Sequence, residues 1–143
     1  MTIVNQLLRT KGNDVWSVSP DTTIFDALKL MSQMNVGAVL VLQEGKVAGI
    51  FSERDYARKV VLHGKSSRTT LVKEAMTPDV YTVTPKETIE TCMALMSDRH
   101  IRHLPVLSED GDLVGIISIG DVVKALLAEK EVIINHLEEY IRS

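Results

Sequence analysis

Two segments of the sequence carry the same polar residues at the same spacing. They are G-I-F-S-E-R-D at residues 49–55 and G-I-I-S-I-G-D at residues 115–121. Each has a serine at the end of an apolar run and an aspartate three residues later. A carboxylate can accept hydrogen bonds from both hydroxyls of a ribose, and a serine can donate one to ribose or phosphate. Free backbone amides at a helix start also attract anions. The duplicated motif therefore predicts a nucleoside or nucleotide site.

The same residues have a structural alternative, because serine and aspartate are ordinary residues of a helix N-terminus. Ser52 with Asp55, and Ser118 with Asp121, would stabilise their helices with no ligand at all. Recurrence of the pair at one spacing in both segments favours a site. A duplicated helix cap stays open as the alternative.

The motifs lie inside a longer internal repeat, and this repeat defines the elements that must position them. Residues 15–60 align with residues 80–126 after one inserted residue, and Pro20 matches Pro85. The pattern of each copy predicts a short strand, a helix, two strands around a Gly turn, and a second helix. A unit of about 50 residues buries too little apolar surface alone. We therefore expect two units packed face to face, in an α+β fold whose small three-stranded sheets carry helices on one face.

The repeat divides the chain into five predicted segments. These are an N-terminal segment (1–14), a first repeat (15–64), a linker (65–79), a second repeat (80–129) and a C-terminal helix (130–143). Apolar residues at helical spacing predict that the last segment is amphipathic. It would pack on the pair or contact another subunit.

Composition excludes several classes of function. Sixteen Lys and Arg against nineteen Asp and Glu give a net charge of −3, the wrong sign for a broad nucleic-acid surface. No apolar run approaches the roughly 18–20 residues needed to span a bilayer. The N-terminus also lacks the pattern of a secretory signal. We therefore predict a cytoplasmic protein that binds neither nucleic acid nor membrane.

At this point the sequence resembles the cystathionine-β-synthase (CBS) domain family, in tandem as a Bateman module. The resemblance rests on both G-x-x-S-x-x-D motifs, on R-H-L-P-V at residues 102–106, and on the strand openings that end in proline. S-E-R-D-Y-A-R-K-V (52–60) and S-I-G-D-V-V (118–123) are similar to bacterial stand-alone CBS pairs. The family resemblance implies two β-α-β-β-α units packed as a pseudo-twofold pair, and a homodimer of such pairs. It also implies two sites in the cleft between repeats, each taking strand residues from one copy and the Ser and Asp from the other.

Carried over residue by residue, the resemblance assigns two unequal sites. The first would combine Val80, Tyr81, Thr82, Ile101, Arg102 and His103 with Ser52, Arg54 and Asp55. The second would combine Trp16, Ser17, Val18, Gly37 and Ala38 with Ser118 and Asp121. Only the first carries guanidinium groups that can clamp phosphate. We hypothesise that it binds an adenine nucleotide well, and that the second binds weakly, binds another ligand or is empty.

Other residues give weaker indications. His100 and His103 have H-x-x-H spacing, but residues three apart on a strand face opposite ways, and no further ligands complete a metal shell. We expect His103 to contact phosphate and His100 to end a helix, and we predict no metal. Cys92 is expected to pack in the core. Basic residues near the first site could instead form a solvated face; they are Arg54, Arg58, Lys59, Arg99 and Arg102.

We therefore predict a regulatory module rather than an enzyme, because no nucleophile with its base, no paired catalytic carboxylates and no glycine-rich phosphate loop is present. Its ligand would be AMP, ADP, ATP or NAD(H), bound between the repeats, and binding would signal to a separate target protein by conformational change. One alternative is a homodimeric interaction module whose cleft binds no functional ligand. A less favoured alternative is a small metal-dependent hydrolase.

Overall fold

The structure is a computed structural model that describes residues 1–142 of the 143-residue chain. Its elements, in chain order, are α1 (Val4–Lys11), β1 (Ser17–Val18), α2 (Ile24–Met34), β2 (Ala38–Gln43), β3 (Lys46–Ser52), α3 (Glu53–Tyr56), a π-helical turn (Ala57–Val61), a 3₁₀ turn (Val72–Glu74), α4 (Ile89–Arg99), β4 (His103–Leu107), β5 (Leu113–Ser118) and α5 (Ile119–Arg142). The mixed helix and strand content, in two small sheets, confirms the predicted α+β class. The chain forms two compact units.

The first-repeat unit consists of residues 15–81. Its sheet has the order β1-β2-β3, with β1 parallel and β3 antiparallel to β2. Alternation along a strand places Val39 and Val41 on one face of β2. Both are buried in a core with residues of α2, of β3 and of the π-helical turn. Both helices of this repeat therefore pack on the same face of the sheet, as predicted.

The second-repeat unit consists of residues 1–14 and the chain from Thr82 onward. Its sheet has only two full strands, β4 and β5, and the opening segment joins it through one parallel bridge between Val83 and Val106. In the first repeat the Leu40 N–H donates to Trp16 O, at 3.0 Å. The corresponding residue of the second repeat is Pro105, which has no N–H to donate. The opening strand is shortened for that reason.

Each unit is completed by the segment that precedes the other repeat. We name residues 2–11 the N-terminal arm, which packs on the second repeat, and residues 70–77 the central arm, which packs on the first. The contacts correspond. The backbone pairs are Ile89 N–H to Thr2 O (3.1 Å) and Val4 N–H to Glu87 O (2.8 Å) for the N-terminal arm, and Ile24 N–H to Thr70 O (2.9 Å) and Val72 N–H to Thr22 O (2.8 Å) for the central arm. Most of the predicted linker is thus folded against the first repeat.

The long helix α5 joins two predicted segments. It runs unbroken for 24 residues from the end of β5, so the predicted C-terminal helix continues the second helix of the repeat; residue 143 of that prediction lies outside the described residues. In the first repeat the equivalent helix is short and ends before Gly64, which has the positive φ of 68° expected of a C-terminal cap. Among residues 1–142, no helix is both long enough and apolar enough to cross a membrane.

The motif glycines allow the arms to approach the sheets. A Cβ added at Gly49 would lie 2.8 Å from the backbone O of Thr77 and 2.8 Å from Sδ of Met76, both in the central arm. A Cβ added at Gly115 would lie 2.8 Å from Leu8 of the N-terminal arm. Gly49 is therefore required for packing of the central arm, because a backbone atom lies against it, whereas the Leu8 side chain beside Gly115 can shift.

We predict that Gly49→Ala destabilises the protein, because the backbone oxygen of Thr77 cannot move away cheaply. The free energy of unfolding should fall by about 1–3 kcal/mol, the usual cost of overpacking. Gly37→Ala is the matched control, since no heavy atom lies within 4 Å of an added Cβ there. Its effect should stay within about 0.5 kcal/mol. Urea denaturation of both variants measures the difference, and equal stabilities would contradict the packing role.

Candidate functional site

The first motif forms a reciprocal cap at the corner between β3 and α3. The Asp55 N–H donates to Ser52 Oγ at 3.1 Å, and the Ser52 N–H donates to Asp55 Oδ2 at 3.0 Å. Ser52 Oγ also donates to Asp55 Oδ2, at 3.0 Å. The structural alternative is therefore present in the molecule: these side chains do cap the helix. A cap and a ligand site are compatible only where the carboxylate keeps acceptor capacity.

Asp55 has little acceptor capacity left. Its second oxygen, Oδ1, accepts a hydrogen bond from Thr77 Oγ1 at 3.0 Å and lies 3.1 Å from Lys59 Nζ. A carboxylate offers about four acceptor positions, and these contacts with those of Ser52 use four. Asp55 is also only 8% exposed. A ribose hydroxyl would have to displace Thr77 or Lys59 in order to reach it.

The second motif repeats the cap with a different outer partner. The Ser118 N–H donates to Asp121 Oδ2 at 2.8 Å, and the Asp121 N–H donates to Ser118 Oγ at 3.2 Å. Lys11, the last residue of α1, places Nζ 2.7 Å from Asp121 Oδ2 and donates to the Ile116 carbonyl at 2.6 Å. Asp121 Oδ1 takes part in none of these contacts. The Asp121 side chain is 23% exposed, against 11% for Asp55, so it is the more accessible carboxylate.

The ion pair sets the charge state of the second motif. Burial alone would raise the pKa of Asp121, but the hydrogen bonds from Lys11 and from the Ser118 backbone outweigh it and hold that pKa below its usual value. Burial lowers the pKa of His103, and the positive charge of Lys11 lowers it further. Asp121 acts in the opposite direction and Arg102 in the same direction. An ionised Asp121 and a neutral His103 are therefore expected near pH 7.

The predicted strand residues lie directly beside these corners. In the first repeat Ala38 pairs with Ser52, and the Glu53 N–H donates to Gly37 O at 3.1 Å. In the second repeat His103 pairs with Ser118, and the Ile119 N–H donates to Arg102 O at 2.8 Å. Within each unit, the Ser and Asp of one predicted site thus lie next to strand residues of the other predicted site. The pairing of residues across the two units stays a prediction.

The other predicted site residues lie around the same ends of the sheets. Ser17 and Val18 form β1, and Trp16 precedes them as an exposed residue. Within its own unit, Ile101 packs against the core, so it is partly a structural residue. The remaining members differ in burial: Arg54, Tyr81 and Thr82 are exposed and Val80 is half-buried.

Sequence reasoning missed two partners of the motif carboxylates, Lys11 and Thr77. Both come from the arms, which lie outside the aligned repeat. A weak signal for the arms exists in the sequence, because T-I-V-N at residues 2–5 resembles T-L-V-K at residues 70–73. The second predicted site therefore has a positive charge beside Asp121, which is the ammonium of Lys11 rather than a guanidinium group.

The family model described as "CBS domain" matches the chain twice, at residues 5–62 and 72–128.

The chain belongs to the CBS domain family.

Known proteins resemble this CBS pair over nearly its full length. The putative signal-transduction protein with CBS domains from Burkholderia ambifaria MC40-6 has a structure with a TM-score of 0.85 and 46% identity, covering 89% of this chain and 95% of that one. The CBS domain-containing protein CBSX3, mitochondrial, of Arabidopsis thaliana is 39% identical over 151 residues, which is 99% of this chain and 72% of the relative. CBSX2 in complex with AMP has a TM-score of 0.73 and 29% identity, covering 91% of this chain and 99% of that one.

Two clefts adjoin the motifs of the CBS pair, each within one unit. A cleft of about 940 Å³ lies between α1 and α5, and its lining includes Lys11, Asp121 and Lys124. A cleft of about 550 Å³ in the first-repeat unit is lined in part by Gly37 and Glu53. Each cleft therefore has a predicted site residue in its wall.

The remaining sequence predictions concern His100, Cys92 and metals. His100 ends α4 in the left-handed conformation with φ 55°, which confirms its predicted place at a helix end. Cys92 is fully buried, and burial raises the pKa of its thiol to about 11, which confirms its packing role. Within residues 1–142, no three His, Cys, Asp or Glu side chains are grouped so that they could hold a metal ion.

We predict that His103 titrates below its ordinary value of about 6.5, because burial and Lys11 disfavour the imidazolium. The unfolded chain then takes up the proton at higher pH than the folded protein, so the free energy of unfolding should fall as the pH drops through 6.5. Lys11→Met should raise the His103 pKa, since it removes a positive charge and leaves the negative charge of Asp121 uncompensated. An NMR titration of the imidazole measures both.

The control for this titration is Lys86→Met, which breaks an exposed ion pair with Glu109 in the same unit. Lys86 does not contribute to the His103 shift, so the midpoint should stay where it is in the wild type. A midpoint that ignored Lys11→Met, or moved downward, would contradict the electrostatic coupling described above.

Proposed function

We propose that this CBS pair is a regulatory module that binds adenine nucleotides at its two Ser-Asp motifs and transmits binding to a separate target protein. One observation carries the proposal: both motifs have the same reciprocal geometry, at a strand-to-helix corner, beside strand residues that the family resemblance assigns to the other site. The similarity to CBSX2, whose structure contains AMP, supports an adenine ligand. The candidates are AMP, ADP, ATP and NAD(H).

The two sites would keep the composition that the resemblance implies. In the first, Arg54, Arg102 and His103 would bind phosphate, and Ser52 with Asp55 would bind ribose. In the second, Asp121 would bind ribose beside the strand residues Trp16–Val18 and Gly37. Lys11 removes part of the expected inequality, because it gives the second site a cation. The inequality is reduced further because the Asp55 carboxylate of the first site is already fully partnered. We therefore propose that both motifs bind nucleotide.

The proposed mechanism is a shift of a conformational equilibrium. A ligand that takes groups from both repeats binds best to one arrangement of the repeats, and it stabilises that arrangement by its differential affinity. At the first site the displaced groups would be Lys59 and Thr77. Because Thr77 belongs to the central arm, its release would alter how the arm packs. The role is binding without chemistry on the nucleotide.

We predict that AMP, ADP, ATP or NADH raises the midpoint of thermal unfolding. A ligand at one hundred times its Kd stabilises the native state by about 2.7 kcal/mol, which corresponds to several degrees in a chain of this size. The shift should shrink in Asp55→Ala and in Asp121→Ala and vanish in the double variant. Each variant is compared with its own midpoint without nucleotide, because loss of a cap itself costs about 1 kcal/mol.

Asp98→Ala is the control, since it removes an exposed carboxylate of α4 that lies outside both motifs. It should keep the full shift. Mass spectrometry of the nucleotide after incubation should recover it unchanged. The proposal fails if nucleotide-free wild-type protein shows no shift with any of the four ligands, or if the double variant keeps the wild-type shift.

A second candidate function is an interaction module that needs no ligand, with Ser and Asp acting only as caps. Two observations favour it: the complete partnering of Asp55 and the exposed apolar residues of α5. All residues from 130 to 142 are exposed. The exposed large apolar members of α5 include Leu127, Val132, Ile133, Ile134, Leu137, Tyr140 and Ile141. Absence of nucleotide binding in the experiment above would leave this function as the better account.

Under either function we propose that α5 contacts a second copy of the chain. Leu127, Ile134 and Ile141 recur every seven residues, and Leu137 lies on the same side of the helix. A helical segment of about a dozen residues is marginal in water without tertiary packing, so its apolar side needs a partner. Glu131 and Glu138 flank this stripe, whereas His136 and Glu139 lie on the opposite side of the helix, where they suit solvent.

We predict that Ile134→Glu weakens the homodimer, whereas Asn135→Glu does not. The two substitutions introduce the same charge at adjacent residues, and only the first lies within the apolar stripe. Light scattering during size-exclusion chromatography should report about 32 kDa, twice the 15.9 kDa of one chain, for the wild type and Asn135→Glu. Ile134→Glu should shift toward 15.9 kDa. A dimer that resists Ile134→Glu would place the interface elsewhere.

A further inference from the structure

Lys11 belongs to neither repeat, yet its side chain reaches the second motif. It is the last residue of α1, and its ammonium lies between Asp121 Oδ2 (2.7 Å) and the Ile116 carbonyl (2.6 Å). An ammonium has three donors, and these contacts use two. The side chain is 30% exposed. One donor of Lys11 thus stays available to a group that enters the cleft between α1 and α5.

We propose that Lys11 is a ligand-binding residue of the Asp121 site, and that it makes this site select phosphorylated nucleosides over neutral ones. The inference rests on the proposed function, since it assumes that Asp121 binds a ribose. It goes beyond that function because it names the group that discriminates nucleotide from nucleoside and places this group in the N-terminal arm.

The physical reason is the charge balance at the carboxylate. An ionised Asp121 close to a bound ribose would repel a phosphate, and the repulsion would grow with each further negative charge. Lys11 cancels that charge at 2.7 Å and offers a donor of its own. Lysine binds phosphate as a compact charge on a flexible stem. The pair therefore admits an anion where Asp121 alone would exclude it.

The surroundings of Asp121 add no compensating cation within hydrogen-bonding distance. Within residues 1–142, Lys11 is the cationic side chain that forms an ion pair with Asp121. His103 is the other basic group coupled to it, and its lowered pKa means that it is neutral near pH 7. Lys124 lines the same cleft one helical turn beyond Asp121. Lys124 therefore provides a matched lysine of the same cleft outside the ion pair.

The contrast with Asp55 supports a specific role for Lys11. Lys59 pairs with Asp55 from within the same helical segment, four residues away, and Thr77 fills the remaining position. Lys11 instead comes from 110 residues earlier in the chain, and the Asp121 Oδ1 atom is outside its contacts. The Asp121 site can thus receive a ribose hydroxyl on Oδ1 without losing its cation.

The test compares adenosine, AMP and ADP by isothermal titration calorimetry. To isolate the second site, all proteins carry Asp55→Ala. Lys11→Met should weaken AMP binding about tenfold, weaken ADP binding more, and leave adenosine within about twofold, because the loss scales with ligand charge. Lys11→Arg keeps the charge and should keep the preference for AMP. Added salt should narrow the gap between AMP and adenosine in the Lys11 protein but not in Lys11→Met.

The controls separate this inference from the function on which it rests. Lys124→Met removes the same charge from the same cleft and should cost less than twofold for AMP. If Asp121→Ala leaves adenosine and AMP binding intact, the proposed site itself fails. If Asp121→Ala abolishes both while Lys11→Met weakens neither, or weakens adenosine and AMP equally, the site stands and the role of Lys11 is overturned. An AMP loss in Lys124→Met as large as in Lys11→Met would also overturn it.

Discussion

Each repeat depends on an arm that precedes the other repeat in the chain. A unit of about 50 residues has too little interior to be stable alone, and the arms supply what is missing. Val4, Leu7 and Leu8 enter the core of the second-repeat unit, and Val72 and Ala75 enter that of the first. The exchange makes the second-repeat unit discontinuous in sequence, whereas the first-repeat unit is the continuous segment 15–81. The core of each repeat is therefore complete only when an arm from outside that repeat packs into it.

The arms also determine the chemistry of the motif carboxylates. A buried or half-buried carboxylate is costly unless it is paired and hydrogen-bonded. The cap supplies the first partners in both repeats, and the arms supply the next. The central arm gives Asp55 a neutral hydroxyl from Thr77, whereas the N-terminal arm gives Asp121 the ammonium of Lys11. Lys59, from its own repeat, supplies the cation of Asp55, so two motifs with the same spacing in sequence differ in the source of their cation and in accessibility.

Features repeated within the sequence could be predicted, and features that depend on unrepeated chain could not. The duplicated Ser-Asp spacing predicted the corner between strand and helix, with a helix cap as one of its two interpretations. Pro105 was visible in the sequence, but its cost to the opening strand appears only once its partner in the ladder is known. Lys11 gave no local indication, because its partner lies 110 residues away and no period relates them. The sequence analysis divided α5 between residues 129 and 130 because the repeat alignment ended there. No helix-breaking residue lies at that boundary, and the helix continues through it.

The position of Thr77 and Lys11 outside the repeats affects how the pair would act as the proposed sensor. If ligand contacts were confined to the motifs, binding would stiffen two corners and little else. Here one outer partner of each carboxylate, Thr77 for Asp55 and Lys11 for Asp121, belongs to an arm, and each arm is part of a core. A ligand that competes for Thr77 or engages Lys11 therefore acts on residues whose neighbours, Met76 and Leu8, lie against Gly49 and Gly115. At each glycine the arm lies so close to its sheet that an added Cβ would meet it at 2.8 Å. Under the proposed function, a change of one hydrogen bond at the ribose would thereby be coupled to the packing of a whole segment, and a partner protein could detect that change of packing.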